Sequence, residues 1–108
     1  MIEYRYKATV DRWVDGDTVD VVIDLGFKVQ TAQRLRLYGI NTPERGQPGF
    51  DAETDFARAR APKGSTVEVK SYKTGKFGRW LAMIYVPNEA QSINRALVEE
   101  GLALEYLP

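Results

Sequence analysis

The chain contains no histidine and no cysteine. Without imidazole it cannot run a Ser-His-Asp relay, build a two-histidine zinc helix or use histidine as a general base. Without thiols it has no thiol nucleophile, no thiolate zinc site and no disulfide. A hydrolase made from this sequence must use a carboxylate. Net charge is missing too: 15 basic and 15 acidic side chains cancel, at a pI of about 6.3, so any polyanion must be held locally rather than by a general field. The longest apolar run, Trp80 to Val86, falls far short of the roughly 20 residues that span a bilayer. Met1 to Arg5 shows no apolar signal core. No membrane partner is expected, and the chain is read as a monomer, cytoplasmic as given or secreted if a signal peptide has been removed.

The 108 residues, 44% of them apolar, suffice for one domain spanning 1–108 that buries a core without staples. Positive charge gathers in one stretch, where Lys63, Lys70, Lys73, Lys76 and Arg79 face Glu68 alone. Val19, Val21, Ile23 and Leu25 alternate with Asp20, Val22 and Asp24, the period-2 pattern of a half-buried strand, and Gly26 offers a turn. On the return run Val29, Thr31, Gln33, Leu35 and Leu37 share one face, which puts Arg34 and Arg36 on the other. Thr66 to Tyr72 and Arg79 to Val86 form a second pair around a Lys73-Thr74-Gly75-Lys76 tip, with Trp80, Ile84 and Val86 expected in the core; Trp13 is left undecided.

A first helix is expected from Ala52 to Arg60, burying Ala52, Phe56 and Ala59 and stopped by Pro62. A second starts after Ser92 as N-cap, buries Ile93, Leu97 and Val98, and ends at Gly101. The order is three strands, helix, two strands, helix. It predicts a mainly β fold with short helices, a five-stranded OB-type Greek-key barrel with a helix between strands 3 and 4 and a further helix after strand 5. Such barrels often bind nucleic acid, although fold alone does not establish activity.

Three separated segments carry the residue types that metal-assisted phosphodiester chemistry needs. Asp17, in Asp15-Gly16-Asp17-Thr18, and the Asn41 side chain offer hard oxygen ligands for a divalent ion. Glu44, after Asn41-Thr42-Pro43, is a carboxylate able to take a proton from water, and Arg36 and Arg79 can grip a phosphate. Taken singly, each has a plainer reading: Asp-Gly and Asn-Thr-Pro make turns, and lone arginines or glutamates are commonly solvated surface charges.

Together and in order, the blocks resemble the staphylococcal (micrococcal) nuclease family of calcium-dependent phosphodiesterases. The likeness runs from about Val10 to Ala103 through Asp15-Gly16-Asp17-Thr18, Arg36 with Thr42-Pro43-Glu44, Gly78-Arg79, and Asn94-Arg95-Ala96-Leu97-Val98 leading to Gly101-Leu102-Ala103. The resemblance implies Ca2+ held by Asp17, Asn41 and the Thr42 carbonyl, with Glu44 as general base and Arg36 and Arg79 on the phosphate. It also implies a substrate contact at Tyr106, near a position where a tyrosine pair stacks on substrate, while Lys76, with the neighbouring lysines, reads either as a soluble rim or as an electrostatic guide for the substrate strand. Two departures stand out. Asn41 replaces a carboxylate of the best-known member, so one negative charge is lost and calcium is expected to bind more weakly; Phe77 replaces a tyrosine. The expected activity is hydrolysis of single-stranded or frayed DNA, with RNA open as a second substrate. The rival is an OB-type nucleic-acid-binding module that has lost turnover, for which Asn41 is the best support.

Overall fold

The computed structural model describes residues 4–74 and 79–106. Seven strands and two helices follow in the order β1 (Arg5–Asp15), β2 (Thr18–Asp24), β3 (Gln30–Leu37), β4 (Ile40–Asn41), α1 (Phe50–Arg60), β5 (Thr66–Thr74), β6 (Trp80–Tyr85), α2 (Ile93–Glu99) and β7 (Leu104–Glu105). Five of them close a barrel in the order β1-β2-β3-β6-β5, and β4 and β7 form a separate two-stranded sheet. The barrel, with α1 before its last two strands and α2 after them, is the architecture read from the sequence; the β4–β7 sheet is an addition. Among the described residues no helix is long and apolar enough to cross a membrane.

The alternating pattern decides which side chains enter the barrel. Val19, Val21, Ile23, Leu35, Leu37, Val67, Val69, Ala82 and Ile84 are buried, and their strand neighbours face out. β1 changes phase along its length. Ala8 and Val10 point inward, a register shift follows between Val10 and Arg12, and Trp13 then points inward as well. The extra residue of a bulge flips parity. It turns the Trp13 indole to the core, where Nε1 donates to the Ala61 carbonyl at 2.9 Å and ties the end of α1 to the barrel.

Two expectations about buried faces are corrected. Trp80 is 44% exposed, because β6 begins at the barrel mouth, where Trp80 pairs with Leu35 and lines a cavity of about 160 Å³ with Ile23, Leu25 and Val69. Leu25 and Val29 are likewise exposed, since their hairpin runs past that mouth. Ile84 is buried and Val86 packs partly on the core. In α1, Ala52 and Ala59 face solvent, and the buried stripe is Glu53, Thr54 and Ala57, continued by Ala61 at the C-cap. That stripe follows the 3.6-residue period. Glu53 conceals it in sequence, because a glutamate is almost never assigned to a helix's inner face.

α2 matches its expectation: Ser92 Oγ accepts from the Arg95 amide at 3.1 Å, and Gly101 takes φ 75° as the chain leaves the helix. Its buried Asn94 ties three pieces together. Oδ1 accepts from the Ile84 amide at 3.1 Å, and Nδ2 donates to the Ala82 carbonyl at 3.0 Å and the Tyr38 carbonyl at 2.9 Å. This one amide fixes β6 and the chain leaving β3. Asn94→Ala orphans those buried backbone groups and is expected to cost about 2–4 kcal/mol in urea denaturation; a loss below about 0.5 kcal/mol would show that water or a neighbour replaces the side chain.

Candidate active site

Asp15-Gly16-Asp17-Thr18 forms the tip of the β1–β2 hairpin, closed by the Asp15–Thr18 pair. β2–β3 register sets Arg36 opposite Thr18. The Leu37 amide then donates to the Asp17 carbonyl at 2.8 Å. Because Leu35 and Leu37 are buried, Arg36 projects from the outer face toward Asp17. Its Nη2 lies 3.4 Å from Asp17 Oδ2 and 3.4 Å from Asn41 Oδ1. Asn41 is brought there by β4, which pairs with β7 through Ile40–Glu105 and Asn41–Leu104. Side chains of Arg36 and Asp17 are 27% and 15% exposed, so their attraction is less screened than on an open surface. Both contacts are nonetheless longer than the usual 2.7–3.2 Å hydrogen bond. The guanidinium is bracketed rather than clamped, and an incoming anion can draw it away at little cost.

Behind this pair three carboxyl groups surround one turn. Burial opposes ionisation of Asp17, but the Asp15 carboxyl, the Arg36 guanidinium and the hydroxyls of Thr42 and Thr18 outweigh it and hold Asp17 below the usual carboxylate range. Burial, then the neighbouring Asp17, push Asp15 up to about 6. Glu53, entering from α1, is fully buried, and neither of its carboxyl oxygens has a hydrogen-bond partner. Burial, then the charges of Asp17 and Asp15, raise it to about 7; Thr42 and the Gly16 amide lie close enough to oppose the shift without closing a bond. Gly16 is what admits this carboxyl: a Cβ there would meet Glu53 Cδ at 2.5 Å.

The other residues singled out in sequence fall as follows. Thr42 leaves β4 beside Asp17. Glu44 is exposed in the irregular stretch that follows; its amide donates to Gln47 Oε1 at 2.7 Å, and among the described residues its carboxylate joins no ion pair. Arg79 precedes Trp80, and Trp80 pairs with Leu35 while Leu81 pairs with Arg36. Strand alternation therefore sets Arg79 and Arg36 on the same outer face. Tyr106 is half exposed, and its amide donates to the Gly39 carbonyl at 2.8 Å, beside the start of β4. Lys76 and Phe77 lie outside the described residues. Glu53 was missed; the spacing of Glu53, Thr54, Ala57 and Ala61 was the available signal.

All donors at the turn are oxygens, the chemistry that suits calcium or magnesium. Among the described residues no group of three or more carboxylates, histidines or cysteines could hold a metal, so an ion here would depend on neutral oxygens from Asn41 and Thr42 beside Asp17. The orphaned buried carboxyl of Glu53 fits a cation at this turn.

The fold and this site together define an OB-type barrel with an oxygen-rich hairpin tip beside Arg36. Residues 34–107 match the family model described as staphylococcal nuclease homologue, and the chain belongs to that family. It is 30% identical over 108 residues to a micrococcal nuclease of Shigella flexneri, covering 94% of this chain and 59% of the relative. A thermonuclease of Staphylococcus hyicus is 31% identical over 108 residues, with the same 94% and 59% coverage. An uncharacterized endonuclease of Escherichia coli O157:H7 is 32% identical over 97 residues, 90% of this chain and 59% of the relative. The chain thus spans about three fifths of the length of these relatives.

Two outcomes follow from the carboxyl cluster. An acid whose pKa rises on folding binds more protons folded than unfolded, so its contribution is fully present below the unfolded value and is lost as pH climbs through the folded one. For Glu53 the window is 4.5 to about 7, and for Asp15 it is 3.8 to about 6. Thermal melts in EDTA are expected to show stability falling from pH 4.5 to 7.5, by up to about 3 kcal/mol for Glu53. Glu53→Gln should remove the part of the slope above about pH 6 and leave the Asp15 part below it; an unchanged slope above pH 6 would assign it to other groups.

Gly16→Ala, by driving a methyl into the Glu53 carboxyl, should cost on the order of 1–3 kcal/mol. In a Glu53→Ala background the same change should cost far less. Equal costs in both backgrounds, measured as a double-mutant cycle, would mean that the two residues do not press on each other.

Proposed function

We propose that the protein is a calcium-dependent nuclease that hydrolyses phosphodiester bonds of DNA in single-stranded or frayed form. One observation carries the reading: a single guanidinium, Arg36, stands between the oxygens of Asp17 and Asn41 at 3.4 Å from each, so the cation ligands and the phosphate grip share a wall. The names of the relatives, micrococcal nuclease, thermonuclease and endonuclease, support it.

Asp17, the Asn41 amide oxygen and the Thr42 carbonyl would hold calcium, which supplies a positive charge beside a non-bridging phosphate oxygen. Arg36 turns from its long contacts with Asp17 and Asn41 to the phosphate, where a planar two-donor fork binds better than a point charge. Arg79, on the same face, takes up charge that grows on the phosphoryl oxygens. Glu44 is exposed and unpaired with the arginine, free to take a proton from water. Lys76 and Tyr106 are assigned to the flanking substrate.

The test is cleavage of denatured DNA by the purified chain in calcium or in EGTA, with RNA in parallel. Fragments are expected in calcium only, and Glu44→Gln should slow cleavage by at least about a hundredfold, the lower range of general-base catalysis, with DNA affinity nearly unchanged. Retention of DNA without fragments at any calcium concentration would replace this reading with the binding-module reading that Asn41 favours.

A further inference from the structure

We infer that Glu53 supplies the second negative charge of the proposed cation site, the charge that Asn41 does not carry. The inference rests on the calcium reading above and adds to it a residue from α1. Glu53 is 0% exposed, and both of its carboxyl oxygens lack hydrogen-bond partners. A carboxyl in that position is costly unless something pays for it. One turn further along the same stripe the chain uses alanine, at Ala57 and then Ala61.

The carboxyl is also aimed. A Cβ on Gly16 would lie 2.8 Å from Glu53 Oε1, so the bare backbone of the Asp15–Asp17 turn is shaped around it. The Thr42 side chain acts on both carboxyls, Asp17 and Glu53. Arg36 Nη2 lies 3.4 Å from both Asp17 and Asn41, and the Glu53 carboxyl lies against Gly16, the residue before Asp17. The described residues offer no three-carboxylate cage. What they offer is two carboxylates, Asp17 and Glu53, completed by the neutral oxygens of Asn41 and Thr42. Calcium affinity follows the number of charged ligands, and Glu53 restores the count to two.

Calcium titration by calorimetry, on protein free of nucleic acid, tests this without reference to activity. Glu53→Gln, nearly isosteric and checked for fold by circular dichroism, is expected to weaken calcium about 10–100-fold. Adding Asn41→Asp to that variant should recover much of the loss, because a second carboxylate charge returns beside Asp17. Gly16→Ala, which leaves all ligands present but displaces the Glu53 carboxyl, should also weaken calcium and serves if Glu53→Gln does not fold. Calcium binding by the native chain that is unchanged in Glu53→Gln, or in Gly16→Ala, overturns the role of Glu53 and leaves the calcium reading standing. No calcium binding by the native chain at millimolar concentration overturns both.

Discussion

Closure of the barrel through the parallel pairing of β3 with β6 is the constraint on which the rest hangs. Antiparallel hairpins alone would leave an open sheet; Leu35–Trp80, Arg36–Leu81 and Leu37–Ala82 join its two ends. The same register that buries Leu35, Leu37 and Ala82 turns Arg36 and Arg79 outward together. Asn94 holds the seam from α2 by bonding Ala82, Ile84 and Tyr38. From there the chain turns at Gly39, and the β4–β7 sheet returns Asn41 to the guanidinium of Arg36. Core packing and site geometry are thus one arrangement seen from two faces.

Electrostatics at the site are local by necessity, because the chain as a whole carries no net charge. Around the hairpin tip one carboxylate, Asp17, is held ionised, while Asp15 and Glu53 are pushed toward their neutral forms by burial and by Asp17 itself. Three like charges cannot share so small a volume unpaired. A divalent cation changes that balance, since it compensates a second carboxylate as well as the first. The cluster is accordingly stable when protonated and, on the proposed reading, when loaded. Between those states Arg36 supplies partial compensation through a long contact that is easily exchanged for phosphate.

Much of this was legible in the sequence because it depends on period and punctuation. Alternation along 19–25 and 29–37 set the strand faces and hence the outward Arg36, while Ser92 and Gly101 marked both ends of α2. Other features depend on what meets what across the fold. Trp80 has the parity of a core residue, but its strand begins at the barrel mouth. β4 and β7, two residues each, are too short to show a pattern and exist only because residues 104–106 return beside residues 39–41. Glu53 was hidden by its own chemistry: composition rules assign glutamate to solvent, and only the approach of α1 to a glycine in a distant hairpin lets a carboxyl sit inside. Trp13 could not be assigned because the β1 bulge that turns it inward leaves no mark in the sequence.

Arg36 is the hinge between the structure described and the activity proposed for it, so its position in the loaded protein is the most direct test. A crystal structure with calcium and a short single-stranded oligonucleotide carrying a non-hydrolysable phosphodiester analogue would show it. The ion is expected beside Asp17, Asn41 and Thr42, and the Arg36 guanidinium turned from Asp17 to a phosphate oxygen. Arg36 still paired with Asp17, with the ion or the oligonucleotide bound on another face of the barrel, would contradict it.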